Sequence, residues 1–167
     1  MTSEQTSVSG PEARRRAVHE AGHAVASVLL RGTPRGTVSA LADEATRAHR
    51  EYPPSLVTPG RWEARPPRFE ADLLARLAGP AAERAILGNA GAATEAADEQ
   101  VVLDALLARG RRGEVAVAAM AELRGVAASF VAEVASVIEA AADELATRDR
   151  IAGLEFAAWV KGRVGPA

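Results

Sequence analysis

The segment His19-Glu20-Ala21-Gly22-His23 is the part of this chain best equipped for chemistry, because it satisfies the pattern H-E-x-x-H. On a helix, residues four apart lie one turn apart on the same face, so both imidazoles can reach a single zinc ion at about 2.1 Å. Glu20 follows the first His by one position and points to the side of that ion. From there it can take a proton from an attacking water without binding the metal. The pattern is that of a hydrolytic zinc site, with His19 and His23 as ligands, Glu20 as catalytic base and Zn2+ as cofactor. A plainer reading stands beside it: two partly buried His satisfied by backbone and solvent, with Glu20 an ordinary helix former. A third ligand and a wider pattern must decide. The chain contains no Cys, so any metal must be held by His and carboxylates, and a cysteine nucleophile or a disulfide framework is excluded. The only other His is His49.

Such a site needs a helix, and the residues around it supply one. From Pro11 to about Leu30 no Pro or Gly intervenes except Gly22, while Val18, Ala21, Val25, Val28 and Leu29 recur at spacings of three and four. The Gly and Pro of residues 31–36 stop this helix, and residues 37–41 (TVSAL) follow as a short strand. Residues 42–68 carry five Pro among charges, which forbids regular helix over most of the stretch; a strand at 55–58 is placed to pair with the first. Helical spacing resumes at Phe69, Leu73, Leu74 and Leu77. Gly79-Pro80 then either kinks this helix or opens a second short one ending at Gly88. Thr94 is the expected N-cap of a helix reaching about Arg109, with Glu95, Asp98 and Glu99 at its positive end. After the break at Gly110 to Gly113, Val115, Ala119, Leu123, Val126, Phe130, Val134, Val137, Ala141 and Leu145 form the stripe of the longest helix, eased at Gly125. A last helix, around Leu154 to Val164, presents Phe156, Trp159 and Val160. The expected fold is mostly α (α+β): helices, a small β-sheet and a long C-terminal helix.

With 167 residues the chain fits one domain, read as residues 11–167 behind a Ser/Thr/Gly-rich, disordered tail at 1–10. Its 20 basic and 22 acidic residues give a net charge of -2 and no basic footprint, which argues against nucleic acid as a partner. The polar, acidic start has no apolar run of the secretory kind, and charges or Gly interrupt each apolar window of about 20 residues. A cytoplasmic protein without a membrane span is the expectation.

Three segments in order, AVHEAGHAVASVLL, LAGPAAERAILG and GAATEAAD, resemble the zinc peptidase domain of the FtsH-type proteases, especially its small stand-alone bacterial relatives. RDRIAGLEFAAWV is similar to their closing segment, so the resemblance spans roughly residues 13–165. It implies a helical, zincin-like peptidase domain that hydrolyses peptide bonds, with His19 and His23 as zinc ligands and Glu20 as the catalytic Glu. The third ligand it implies is an acidic residue after a Gly-Ala pair. Counting from Gly91-Ala92 gives Glu95, whereas counting from Gly79 and Gly88 runs on to Asp98. Asp98 is favoured, because it has the family's usual side chain and leaves Val102, Leu103 and Leu106 to the buried face. The resemblance further implies that residues 37–41 form an edge strand receiving an extended peptide by strand addition.

One departure narrows the expected substrates. The 167 residues contain no G-x-x-x-x-G-K-[ST] loop, so no ATPase of the FtsH kind is expected among them, and the expectation is cleavage of peptides or unfolded protein, or an unfoldase borrowed in trans. Two other readings stay open. One is a regulatory H-E-x-x-H peptidase of another family. The other is a non-catalytic interaction protein with a structural or vestigial zinc, in which the Val115 to Leu145 stripe is the seam of a homo-oligomer rather than core.

Overall fold

Pro11 opens the first helix where its missing N–H costs nothing, just after Gly10, whose φ of 122° suits glycine. In the computed structural model, which describes residues 10–32, 37–40, 68–148 and 150–165, helix α1 runs over Pro11–Ala26. A π-helical turn, Ser27–Arg31, continues it until Gly32 ends the element at φ 104°. Ala17 through Ala26 are all buried, so the second half of α1 is enclosed on all sides. That enclosure takes His19, Glu20 and His23 into the interior along with Val18 and Val25.

Helix α2, Arg68–Leu87, is one element, not two, and Pro80 lies within it. Its crossing with α1 is made by small residues. A Cβ on Gly22 would stand 2.6 Å from the Ala78 carbonyl oxygen and 2.9 Å from the Ala82 Cβ. Glycine at 22 therefore sets how closely the two backbones approach.

Helix α3, Ala92–Ala108, is capped by Gly91 and not by Thr94. Thr94 sits inside the first turn, where its hydroxyl donates back to the Gly91 carbonyl at 2.9 Å. Helix α4, Glu114–Arg148, is 35 residues long and runs straight through the expected soft point at Gly125; its irregular residue is Val134, at φ -113° and ψ 16°. The buried face is centred on Ala116, Met120, Leu123, Ala127, Val131, Ile138 and Leu145. Val115 and Val126, expected in the stripe, are 61% and 46% exposed. The expectation followed the β-branched residues, whereas the helix buries the neighbouring Ala116 and Ala127 and turns those Val outward.

By length and composition alone α4 is apolar enough to cross a membrane, with mean hydropathy 1.6 over its best 18-residue window, although Glu122, Arg124 and Gly125 interrupt its apolar sequence. About a third (33%) of that window is buried in the fold, so packing against the core accounts for only part of its apolar character.

Strand β1, Thr37–Ser39, pairs antiparallel with β2, Arg150–Ala152, so that Val38 faces Ile151. The partner expected at 55–58 lies outside the described residues, as do 1–9 of the expected tail and His49. Helix α5, Gly153–Val164, then packs Phe156 and Val160 into the core, with Trp159 half-buried against it. Among the described residues the fold is thus mostly helical, with one two-stranded sheet joining the segment after α1 to the segment after α4.

Candidate metal centre

His19 and His23 stand one turn apart on α1, both buried, with ring centroids 4.5 Å apart and planes at 90°. Their Nε2 atoms are 2.9 Å apart. The His23 ring lies against the backbone of Gly79 on α2, where a Cβ would come within 2.5 Å of Cε1 and 2.6 Å of Nε2. Any side chain at 79 would displace the His23 ring.

The remaining ring nitrogens settle the tautomers. His23 Nδ1 lies 2.9 Å from the Ala75 carbonyl oxygen, and His19 Nδ1 lies 2.6 Å from Glu83 Oε1. A carbonyl and a carboxylate only accept, so both Nδ1 atoms carry the proton and donate it. In the neutral rings each Nε2 then carries the lone pair, and the two atoms stand 2.9 Å apart. This is the arrangement in which a His binds a metal while an outer acceptor holds its ring.

Glu83 was not singled out as a site residue from the sequence, yet it is the most buried charged group here, at 0% exposure. Its Oε2 accepts from Arg15 Nη1 and from the Gly91 amide, each at 2.7 Å. One carboxylate thereby ties α1, α2 and the start of α3 together around His19. The available signal was its place four residues after Gly79 in the LAGPAAE segment, but nothing local says that it reaches a His 64 positions earlier.

Asp98 enters from α3. Its Oδ2 lies 3.1 Å from His19 Nε2 and 3.2 Å from His23 Nε2, is buried, and makes no well-aligned hydrogen bond. Three buried donor atoms, two imidazole and one carboxylate, thus converge with no proton assigned between them. Four ligands held tetrahedrally around zinc at its usual bond lengths stand about 3.3 Å apart, close to the three separations found. His19, His23 and Asp98 therefore form a buried group able to hold a metal ion. Glu95, the other acidic residue considered, is instead ion-paired with Arg84. Glu20 is buried on α1 beside this group, and its charge favours protonation of both imidazoles.

The electrostatics of the centre set burial against the charges gathered around it. Burial pulls the His19 imidazole down, but the Asp98 carboxylate, with Glu20 and Glu83 behind it, outweighs burial and holds His19 above its ordinary value. For His23 burial prevails, helped by the neighbouring His19 charge, and its imidazole titrates below the ordinary value. Burial would raise Asp98, yet the two imidazoles keep it well below the usual carboxylate range. Glu83 is likewise lowered against its burial, by Arg15, the Gly91 amide and His19.

No family model matches the chain, and no curated protein matches it. Functional reading therefore rests on the geometry of this centre and on the sequence landmarks.

Proposed function

We propose that this chain is a zinc-dependent peptidase whose ion is held by His19, His23 and Asp98 and whose base is Glu20. The observation that carries the reading is the convergence of His19 Nε2, His23 Nε2 and Asp98 Oδ2 within 3.2 Å of one another, with both Nδ1 protons committed elsewhere. Two neutral imidazoles and one carboxylate are a ligand set of catalytic zinc sites, which keep a fourth position open. Bound there, zinc supplies Lewis acidity, polarising a carbonyl and bringing the loss of a water proton near neutral pH.

The protein's own groups do the rest. Ala75 and Glu83 fix the ring orientations before any ligand arrives, and the buried setting shields the reacting groups from bulk water. Glu20 takes the proton of the attacking water and returns it to the leaving amine, completing amide hydrolysis. The resemblance of the H-E-A-G-H segment and its downstream landmarks to FtsH-type peptidase domains supports this substrate class. β1 pairs with β2 alone among the described residues, which supports the idea that an extended peptide is received by strand addition.

The test is metal analysis of the purified chain beside four variants. The parent, Glu95→Ala and Glu20→Gln should carry close to one zinc, and His23→Ala and Asp98→Ala should lose it. Glu20→Gln should no longer cleave an unfolded test protein. A parent chain that takes up no zinc would overturn the proposal, and a Glu20→Gln variant as active as the parent would remove Glu20 from its role.

A further inference from the structure

The two oxygens of Asp98 are used differently. Oδ2 faces the two imidazoles, whereas Oδ1 accepts from Nη1 of Arg76 at 3.3 Å. Arg76 stands on α2 immediately after Ala75, whose carbonyl takes the His23 proton, and less than one turn before Gly79, on which the His23 ring rests. A single turn of α2 thus orients two of the three ligands, an imidazole on one side and a carboxylate on the other. The Arg76 side chain is 28% exposed and the Asp98 side chain 9%, so the guanidinium reaches a buried carboxylate from a partly exposed position.

A carboxylate can bind a metal through one oxygen or through both. Two-oxygen binding by Asp98 would fill the coordination place that a hydrolytic zinc must keep open. A guanidinium on Oδ1 opposes that: turning Oδ1 toward an ion means giving up a charge-assisted hydrogen bond. Such a contact also withdraws charge from the carboxylate, leaving a metal on Oδ2 a stronger Lewis acid. Among the described residues no other carboxylate or carbonyl competes with Asp98 for the Arg76 guanidinium.

We infer that Arg76 is a positioning residue that holds Asp98 as a one-oxygen ligand and so preserves the fourth coordination place for water or substrate. The inference rests on the reading of His19, His23 and Asp98 as metal ligands. Lys would be an incomplete substitute, because its ammonium is a point charge without the planar fork.

Cobalt(II) in place of zinc gives the readout, since four-coordinate cobalt absorbs visible light more strongly than five-coordinate cobalt. The parent chain, Arg76→Met and Arg76→Lys are loaded with one equivalent of cobalt, and zinc affinity is measured by competition with a chelator. Arg76→Met keeps the apolar stem and removes the donors. It should bind one cobalt with a markedly weaker visible band and hold zinc about tenfold less tightly, the lower end of effects seen for lost outer partners of metal ligands. Arg76→Lys should fall between the two. If the parent binds one metal while both variants match its spectrum and affinity, the role of Arg76 is overturned and the metal site stands. If Arg76→Met does not fold, a parent-like spectrum and affinity in Arg76→Lys alone overturns it. If the parent binds neither cobalt nor zinc, the metal reading falls and this inference with it.

Discussion

The two sides of the candidate metal centre are built to different standards. His19 and His23 sit on a helix segment buried from Ala17 to Ala26, their rings fixed by Ala75, Glu83 and the bare backbone of Gly79. Asp98 sits on α3, which buries only Asp98, Val102 and Leu106, a stripe one residue wide at spacings of four. Val101 and Leu107 on the same helix are 48% and 41% exposed. Rigid packing thus presets two donors, and a lightly held helix brings the third. A metal that joined them would add its binding free energy to the contacts that fix α3 to the body, because binding stabilises the state that binds.

The largest effect should come from the rigid side. Gly79→Val puts branched carbon where the His23 ring lies, and should cost about 3 kcal/mol or more in urea unfolding together with all stoichiometric metal. A variant that unfolds like the parent and keeps its zinc would mean that the ring packing is not tight. Next comes removal of the metal itself. A chelator should speed amide exchange across α3 while leaving residues 17–26 of α1 protected, and equal acceleration in both helices would erase the contrast drawn above.

A smaller effect follows from pH. His19 is held above its ordinary value and must lose its proton to bind metal, whereas Asp98 is already ionised throughout this range. Metal affinity should therefore fall as pH drops below the raised His19 pKa, by about tenfold per unit for one displaced proton, and level off above it. An affinity that does not change between about pH 5 and 8 would exclude His19 as a ligand. The smallest effect belongs to Glu95→Ala, which removes a partly exposed pair with Arg84. It should change stability by less than about 1 kcal/mol and leave zinc content as it was.

What could be read from the sequence follows the range of the interactions involved. The His19 and His23 pairing depends on one turn of one helix, and five adjacent residues specify it. The helices of α1, α2, α3 and α5 are legible for the same reason, since spacing of three and four is local. β2 buries only Ile151 between two exposed residues, and three residues are too few for that alternation to stand out; its existence depends on a partner more than a hundred positions away. Pro80 signals a break, but the helix continues through it, and the close crossing at Gly22, Ala78 and Ala82 offers the packing that offsets a lost backbone bond. The role of Glu83 is equally nonlocal, because the His it serves comes from another helix. Between Asp98 and Glu95 the sequence offered two counts, and the choice depends on where α3 begins relative to the imidazoles.

That beginning is a fixed datum. The Gly91 amide is bound to Glu83, and Asp98 follows about two helical turns later, on the side facing the His19 and His23 rings. The stretch between them works as a ruler. Substitutions at Ala93, Ala96 or Ala97, all exposed, leave its length unchanged and should be accepted freely. Adding or deleting one residue would rotate Asp98 by about 100° and carry its carboxylate away from the histidines. In a mutational library of this segment, frame length rather than side-chain identity should separate chains that bind metal from chains that do not.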